Sequence, residues 1–304
     1  MSTAWDQVSQ NVFKTWLLMF LFSLFVVGVV YIIARGLGYG DAGSLEIVGF
    51  ALILAGIMNF VSYFYSDKIV LGLSGAKQIS ETSNRELYHL VENLCIAGGL
   101  PVPKIYVMND PSPNAFATGR DPKHAAICFT SGILNKLDKT ELEGVTAHEV
   151  SHIGNRDTLL MSVVSVLLGT LAILSDFFLR SLWFRGRDNE DRGGNLFAIL
   201  AIVAAILAPF IATLIQLAIS RRRELLADAS GVLLTRYPQG LESALLKISA
   251  DHEPVQTASS GTAHMFIVNP LKGREAASWL AGLFNTHPPI TVRINALRKM
   301  EGQV

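Results

Sequence analysis

Four long stretches without a charged residue constrain this chain more than any other feature. Thr15–Ala34 and Ile47–Ser66 each run 20 residues, Thr158–Ser175 runs 18, and Gly193–Ser220 runs 28. A helix needs roughly 20 apolar residues to cross about 30 Å of hydrocarbon. All four qualify as membrane spans, at about residues 15–34, 47–66, 158–179 and 195–219. Buried core helices are the competing reading, strongest for the short third run and for the fourth, which Pro209 interrupts. A signal peptide is the other alternative for the first run. That run starts after 14 mixed residues, is longer than a usual apolar core, and meets Arg35 with no small-x-small cleavage site, so it reads as retained. Composition points the same way. Half the chain is hydrophobic and 16% is charged, against about 25% in soluble domains.

The 25 basic and 25 acidic residues cancel. That balance leaves no electrostatic footprint for nucleic acid, and none is expected as a partner. Cys95 and Cys128 are too few and too far apart for a disulfide framework or a cysteine metal site, and read as buried thiols, with a single bridge left open. The polar remainder falls into a block from Asp67 to Asp157, a charged connection from Asp176 to Arg192, and a second block from Arg221 to the end at residue 304. No internal repeat is visible, and Ser259-Ser260-Gly261-Thr262 is the one stretch that reads as a mobile loop.

In the first polar block, Ser83-x-x-Glu86 and Thr140-x-x-Glu143 have the form of capping boxes opening helices. Between them, Lys104–Met108, Ala115–Thr118 and Ala125–Thr130 read as short strands. The second helix carries His148-Glu149-Val150-Ser151-His152. Residues four apart share a helical face, so both imidazoles can reach one zinc ion. Glu149, one position on, can reach a water at that ion without ligating, as a general base for peptide hydrolysis must. Two incidental histidines on a surface helix are the bland alternative.

A catalytic zinc commonly takes three protein ligands. The near position, six beyond His152, is Thr158, so the third ligand must be distant. Glu224 in Arg221-Arg222-Arg223-Glu224-Leu225-Leu226-Ala227-Asp228 is the best candidate, with Asp228 one turn on to orient a histidine. The alternative for Glu224 is a salt-bridged helix start beside three arginines. Topology supports the ligand: His152 lies six residues before the third run and Glu224 four after the fourth. Two spans between them return the chain to the same membrane face. An intramembrane protease is excluded, because Lys139, Glu141, Glu143, Asn155, Arg156 and Asp157 around the motif would be prohibitive in lipid.

Taken together, HEVSH, RRRELLAD, Asn114-Ala115-Phe116-Ala117-Thr118-Gly119 and Thr286-His287-Pro288-Pro289 with Arg293 resemble the HtpX-type membrane metalloproteases, heat-shock-associated relatives of the CAAX prenyl proteases. The resemblance implies a four-span α-helical membrane protein with an α+β zincin-like (gluzincin) catalytic domain assembled from residues 67–157 and 221–304, behind a membrane region at 1–66 and a membrane hairpin at 158–220. It implies one Zn2+ held by His148, His152 and Glu224, with Glu149 as base. It also implies an edge strand at Asn114, Ala115, Phe116, Ala117, Thr118 and Gly119 that pairs with substrate backbone, and His287 as a contact to the oxyanion. Asp157, Asp228 and Arg293 are implied to orient the ligands or line the pocket. Its implied role is quality control of damaged membrane proteins, from a bacterial inner membrane with the site facing the cytoplasm. The partners are protein substrates and the lipid bilayer; the sequence does not give the oligomeric state.

The positive-inside pattern agrees in part: Lys14, Lys68, Lys77, Arg156 and Arg221–Arg223 flank the catalytic side, while Arg35, Arg180, Arg185, Arg187 and Arg192 fall opposite. Competing functions are processing of a specific tail, as in prenyl proteases, and a non-catalytic zinc-stabilised scaffold, which has no need of Glu149.

Overall fold

The computed structural model describes residues 4–36, 41–185, 221–259, 261–271 and 288–301. Two 33-residue helices open it, α1 (Ala4–Gly36) and α2 (Asp41–Leu73). Each contains a stretch able to cross a bilayer, Val8–Ile32 and Leu45–Leu73, with mean hydropathies of 2.4 and 2.1. A core helix would hide such residues. Here Phe50 is 69% and Ile53 64% exposed, and Phe13, Trp16, Phe20 and Phe60 are also uncovered. So much contiguous apolar surface has its natural solvent in lipid.

The third expected span opens α6 (Asp157–Arg185), 29 residues long. Its first half is the centre of the helical bundle: Leu159, Leu160, Val163, Val164, Leu167, Leu168 and Leu171 pack against Leu18, Met19, Phe22 and Val26 of α1 and Ala55 of α2. The fourth expected span, at 193–220, lies outside the described residues, as do residues 186–192 of the charged connection, Ser260, and His287.

Between α2 and α6 a four-stranded sheet forms in the order β1 (Lys77–Gln78), β2 (Lys104–Met108), β4 (Ala125–Thr130), β3 (Ala115–Gly119). β2 and β4 are parallel and the outer pairs antiparallel. The three expected strands are present, β3 one residue longer, while the two-residue β1 carries too little pattern to read. Strand alternation divides the side chains between two cores. Ala115, Ala117, Ile127 and Phe129 face a core built from α3 (Arg85–Ala97), α5 (Lys139–Gly154) and α8 (Pro238–Ala250). Phe116, Ala126 and Cys128 face Val70 and Leu71 at the end of α2 and Met161 of α6. The sheet therefore sits between the membrane helices and the helix bearing the histidines. Cys95 and Cys128 are free, buried in different cores.

Both helix starts shift from their expected caps. Asn84, not Ser83, caps α3 by accepting from the Leu87 amide at 3.1 Å, and the Ser83 hydroxyl instead closes a turn with Ser80. Asp138 caps α5 in a true capping box with Glu141, so Thr140 and Glu143 do not serve. Asn and Asp accept such bonds as well as Ser or Thr, and one lay within two residues of each expected start. A short helix, α4 (Ser131–Lys136), bridges β4 to that cap.

Glu141 also joins α5 to α8. It accepts from Asp138 N at 2.9 Å, Ser243 Oγ at 2.5 Å and Lys247 Nζ at 2.7 Å. Burial alone would raise its pKa, but the Lys247 and Ser243 bonds outweigh burial and lower it. A carboxylate with a depressed folded pKa contributes stability that is whole above the unfolded value, about 4.3, and drains as pH falls through the lower folded value. Glu141→Gln is expected to lower the thermal midpoint in detergent by a few degrees at pH 7. The gap to wild type should close as pH drops below that range, as a pH series of melting curves would show.

Candidate metal centre

The site is carried by α5 and by α7 (Arg221–Thr235). At Gly231 the helices almost touch: a Cβ there would lie 3.1 Å from the His148 backbone nitrogen. This approach lays one face of α7, with Glu224 and Asp228 one turn apart, beside the two histidines. Glu224 Oε2 is 3.8 Å from His148 Nε2, and its Oε1 is 3.6 Å from His152 Nε2. The two Nε2 atoms are 3.1 Å apart, with the rings nearly perpendicular. All three residues are buried, and one ligand atom from each falls within 4.8 Å of the others. Two imidazole nitrogens and a carboxylate converging this closely suit a divalent metal that keeps an open coordination position.

The opposite edge of each ring is fixed by an acid. Asp228 Oδ1 lies 2.9 Å from His148 Nδ1, and Asp157 Oδ2 lies 3.0 Å from His152 Nδ1. With Nδ1 held as a donor, each Nε2 lone pair points into the gap between the rings. Asp228 is clamped in turn by Arg293 of α9 (Ile290–Met300), through Nε at 2.9 Å and Nη2 at 2.6 Å. Arg293 is fully buried, donates from Nη1 to the Ile267 carbonyl at 2.8 Å, and stands 3.9 Å from Glu224. Asp157 is held by Asn11 of α1, whose Nδ2 donates to its Oδ1 at 2.7 Å and to the Asn155 carbonyl at 3.1 Å. Arg223 approaches the same carboxylate at 3.9 Å.

Electrostatics follow from this burial. Desolvation, with the charges of His152 and Arg293, pushes His148 down to about 4 despite Asp228. Burial opposes charge on His152 as well, but the Asp157 bond and the nearby Glu224 carry it up to about 9. Two like charges 3.1 Å apart are not tolerated, so beyond the two Nδ1 protons the pair carries at most one more, on the facing Nε2 atoms, which a metal would displace. Asp228 is lowered, its burial overcome by Arg293. Glu149, 1% exposed, is raised to about 7, first by burial and then by Glu224. Its Oε1 has no hydrogen-bond partner among the described residues. A buried carboxylate oxygen left unsatisfied beside three converging ligand atoms is poised to take a proton.

Ala115 to Gly119 form an edge strand of the sheet, and these five and Asn114 are all buried. The outer edge of β3 is already engaged. Ile267 donates its amide to the Ala115 carbonyl at 3.0 Å, Phe266 bridges Phe116, and the Ala117 amide favours the charged form of Glu149. Ser162 of α6 meets the Thr118 hydroxyl at 2.7 Å and accepts from the Gly119 amide at 3.3 Å. Sequence reasoning missed Asn11, Ser162 and Phe266–Val268. None lies in a motif, and only folding brings them beside one.

Known proteins resemble this chain along most of its length. The model of Peptidase family M48 matches residues 81–301. A "Protease HtpX homolog" of Dictyoglomus thermophilum is 45% identical over 298 residues, covering 98% of this chain and 95% of the relative. One from Caldanaerobacter subterraneus is 44% identical over 303 residues, 98% of each chain, and one from Pyrococcus furiosus 45% over 289 residues, 94% and 95%. Among solved structures, the fold is shared with Ste24p of S. mikatae at a TM-score of 0.50 and 16% identity. That match covers 93% of this chain and 66% of the other.

Because Asn11 holds the carboxylate that orients His152, metal affinity should depend on α1. Partners at this remove typically change affinity 10–100-fold. Asp157→Ala is expected at the upper end and Asn11→Leu at about tenfold, measured by competition against a zinc-binding dye.

Proposed function

The chain belongs to peptidase family M48, a membrane metalloprotease by its relatives and its two exposed apolar helices, and from that premise we propose that His148, His152 and Glu224 hold one zinc ion beside Glu149 as general base. The observation that carries this reading is the convergence of three buried ligand atoms within 4.8 Å next to the unpaired Glu149 oxygen. Bound there, zinc supplies Lewis acidity that polarises a scissile carbonyl and makes water nucleophilic near neutral pH.

The chain's own groups divide the remaining work. Glu149 Oε1 takes the proton of the attacking water and passes it to the leaving amine. Burial raises the pKa of this carboxylate, which strengthens it as a base for the first half of that transfer. Asp228 and Asp157 keep both Nε2 atoms aimed at the metal, and Arg293 holds Asp228 in place. In this reading the Asn114–Gly119 edge receives substrate backbone, and His287 contacts the oxyanion by virtue of its place in the motif Thr286-His287-Pro288-Pro289.

Residues 67–157 and 221–304 then form one catalytic domain, joined by two further spans at about 158–179 and 195–219. What supports the four-span arrangement is that Asn11 near the start of α1, the start of α6 and the start of α7 gather at the site, with the end of α2 packed against Phe116 of the edge strand. Such a layout suits an inner-membrane protease working from the cytoplasmic face on unfolded or damaged membrane proteins. Glu149→Gln is expected to retain about one zinc per chain while losing casein cleavage, and Glu224→Ala to lose the metal itself. Metal analysis and casein assays on detergent-purified protein, with and without a chelator, would decide. Undiminished cleavage by the Gln variant would remove Glu149 from the mechanism.

A further inference from the structure

Resting on the protease reading, the geometry points to Phe266–Val268 as an internal peptide occupying the place of the substrate, which must withdraw before a polypeptide can bind. An extended peptide adds to a sheet edge through main-chain hydrogen bonds, with alternate side chains entering pockets on either face. This segment does both. It runs antiparallel to β3, with Phe266 opposite Phe116 and the Ile267 amide on the Ala115 carbonyl. The Asn114 side chain closes the next rung as a clamp: its Nδ2 donates to the Val268 carbonyl at 2.9 Å and its Oδ1 accepts from the Val268 amide at 3.4 Å.

The carbonyl between those rungs, that of Ile267, takes a 2.8 Å bond from Arg293, the guanidinium that also grips Asp228 behind His148. A peptide backbone is thus held between the edge strand and the machinery of the metal centre. Its side chains alternate as a bound strand requires. Phe266 packs edge-on against Phe116 at 5.0 Å in the core facing the membrane helices, and Ile267 enters the core on the α5 side. Both are 1% exposed.

Nothing in these contacts depends on the strand belonging to this chain. A substrate with two successive apolar residues can make the same bonds and fill the same two pockets, so it competes with a segment that the chain itself holds at high effective concentration. Asn114 and Arg293 then become the backbone clamp for substrate, and the preferred class is unfolded polypeptide with adjacent apolar residues. Because the open state is a fraction of the whole, apparent substrate affinity is reduced by that fraction.

Amide hydrogen exchange on the zinc-loaded Glu149→Gln protein, with and without excess reduced, carboxymethylated casein, tests this directly. Ile267 and Val268 amides should lose protection when casein binds, while those of β4 stay unchanged. Protection that holds or increases at Ile267 and Val268 overturns the inference. Independently, Ile267→Pro removes the donor to Ala115 together with a buried apolar side chain, and should lower KM for casein by about fivefold or more in protein that keeps its zinc. An unchanged or raised KM with zinc retained would also overturn it. Casein cleavage by the wild type checks the protease reading separately, so a segment that stays protected in a protein whose wild type cleaves casein refutes the internal peptide alone.

Discussion

The near-contact of α7 with α5 at Gly231 is the constraint on which the centre depends. Helices normally lie 8–10 Å apart, separated by their side chains. Here the missing side chain lets a backbone settle within 3.1 Å of where its Cβ would meet His148. Glu224, two turns earlier on the same helix, thereby comes within 4 Å of both imidazoles. A second close approach, where a Cβ on Gly144 would lie 2.6 Å from the Leu241 nitrogen, seats α8 on the other flank of α5. The helix bearing the motif is gripped from two sides.

Around that contact the protein has buried several charges, which is costly unless each is paired and fully bonded. Arg293 shows how this is managed: its guanidinium makes a two-pronged bond with Asp228 and spends a further hydrogen on the Ile267 carbonyl. Such forked pairs are among the strongest available and fix direction as well as distance. Asp157 is managed differently, through a neutral amide from a membrane helix. One histidine is thus oriented from the polar domain and the other partly from the membrane region. The membrane helices are therefore part of the centre's scaffolding as well as an anchor.

Much of the fold was readable because its signals are local. Charge-free runs mark α1 and α2, short runs bounded by turn residues mark β2, β3 and β4, and four-residue spacing marks the histidine pair. The caps were legible only to within a residue or two, since Ser83 and Asn84, or Asp138 and Thr140, offer the same chemistry to neighbouring amides. The occupied edge of β3 was not legible at all. Nothing in Phe266-Ile267-Val268 distinguishes a strand partner from a loop until its rungs on Asn114 and Ala115 are seen.

By itself, the sequence determined which segments are long and apolar enough for lipid, which residues are candidates to hold a metal, and that a third candidate had to come from far along the chain. Those properties depend on residue type and spacing, which are complete in one dimension. Only the tertiary structure decided which carboxylate stands behind which imidazole, that Asn11 reaches across 146 positions to Asp157, and that Arg293 joins Asp228 to Ile267. Hydrogen bonds act over about 3 Å, and which groups come that close is settled by how helices and sheet pack, not by their order along the chain.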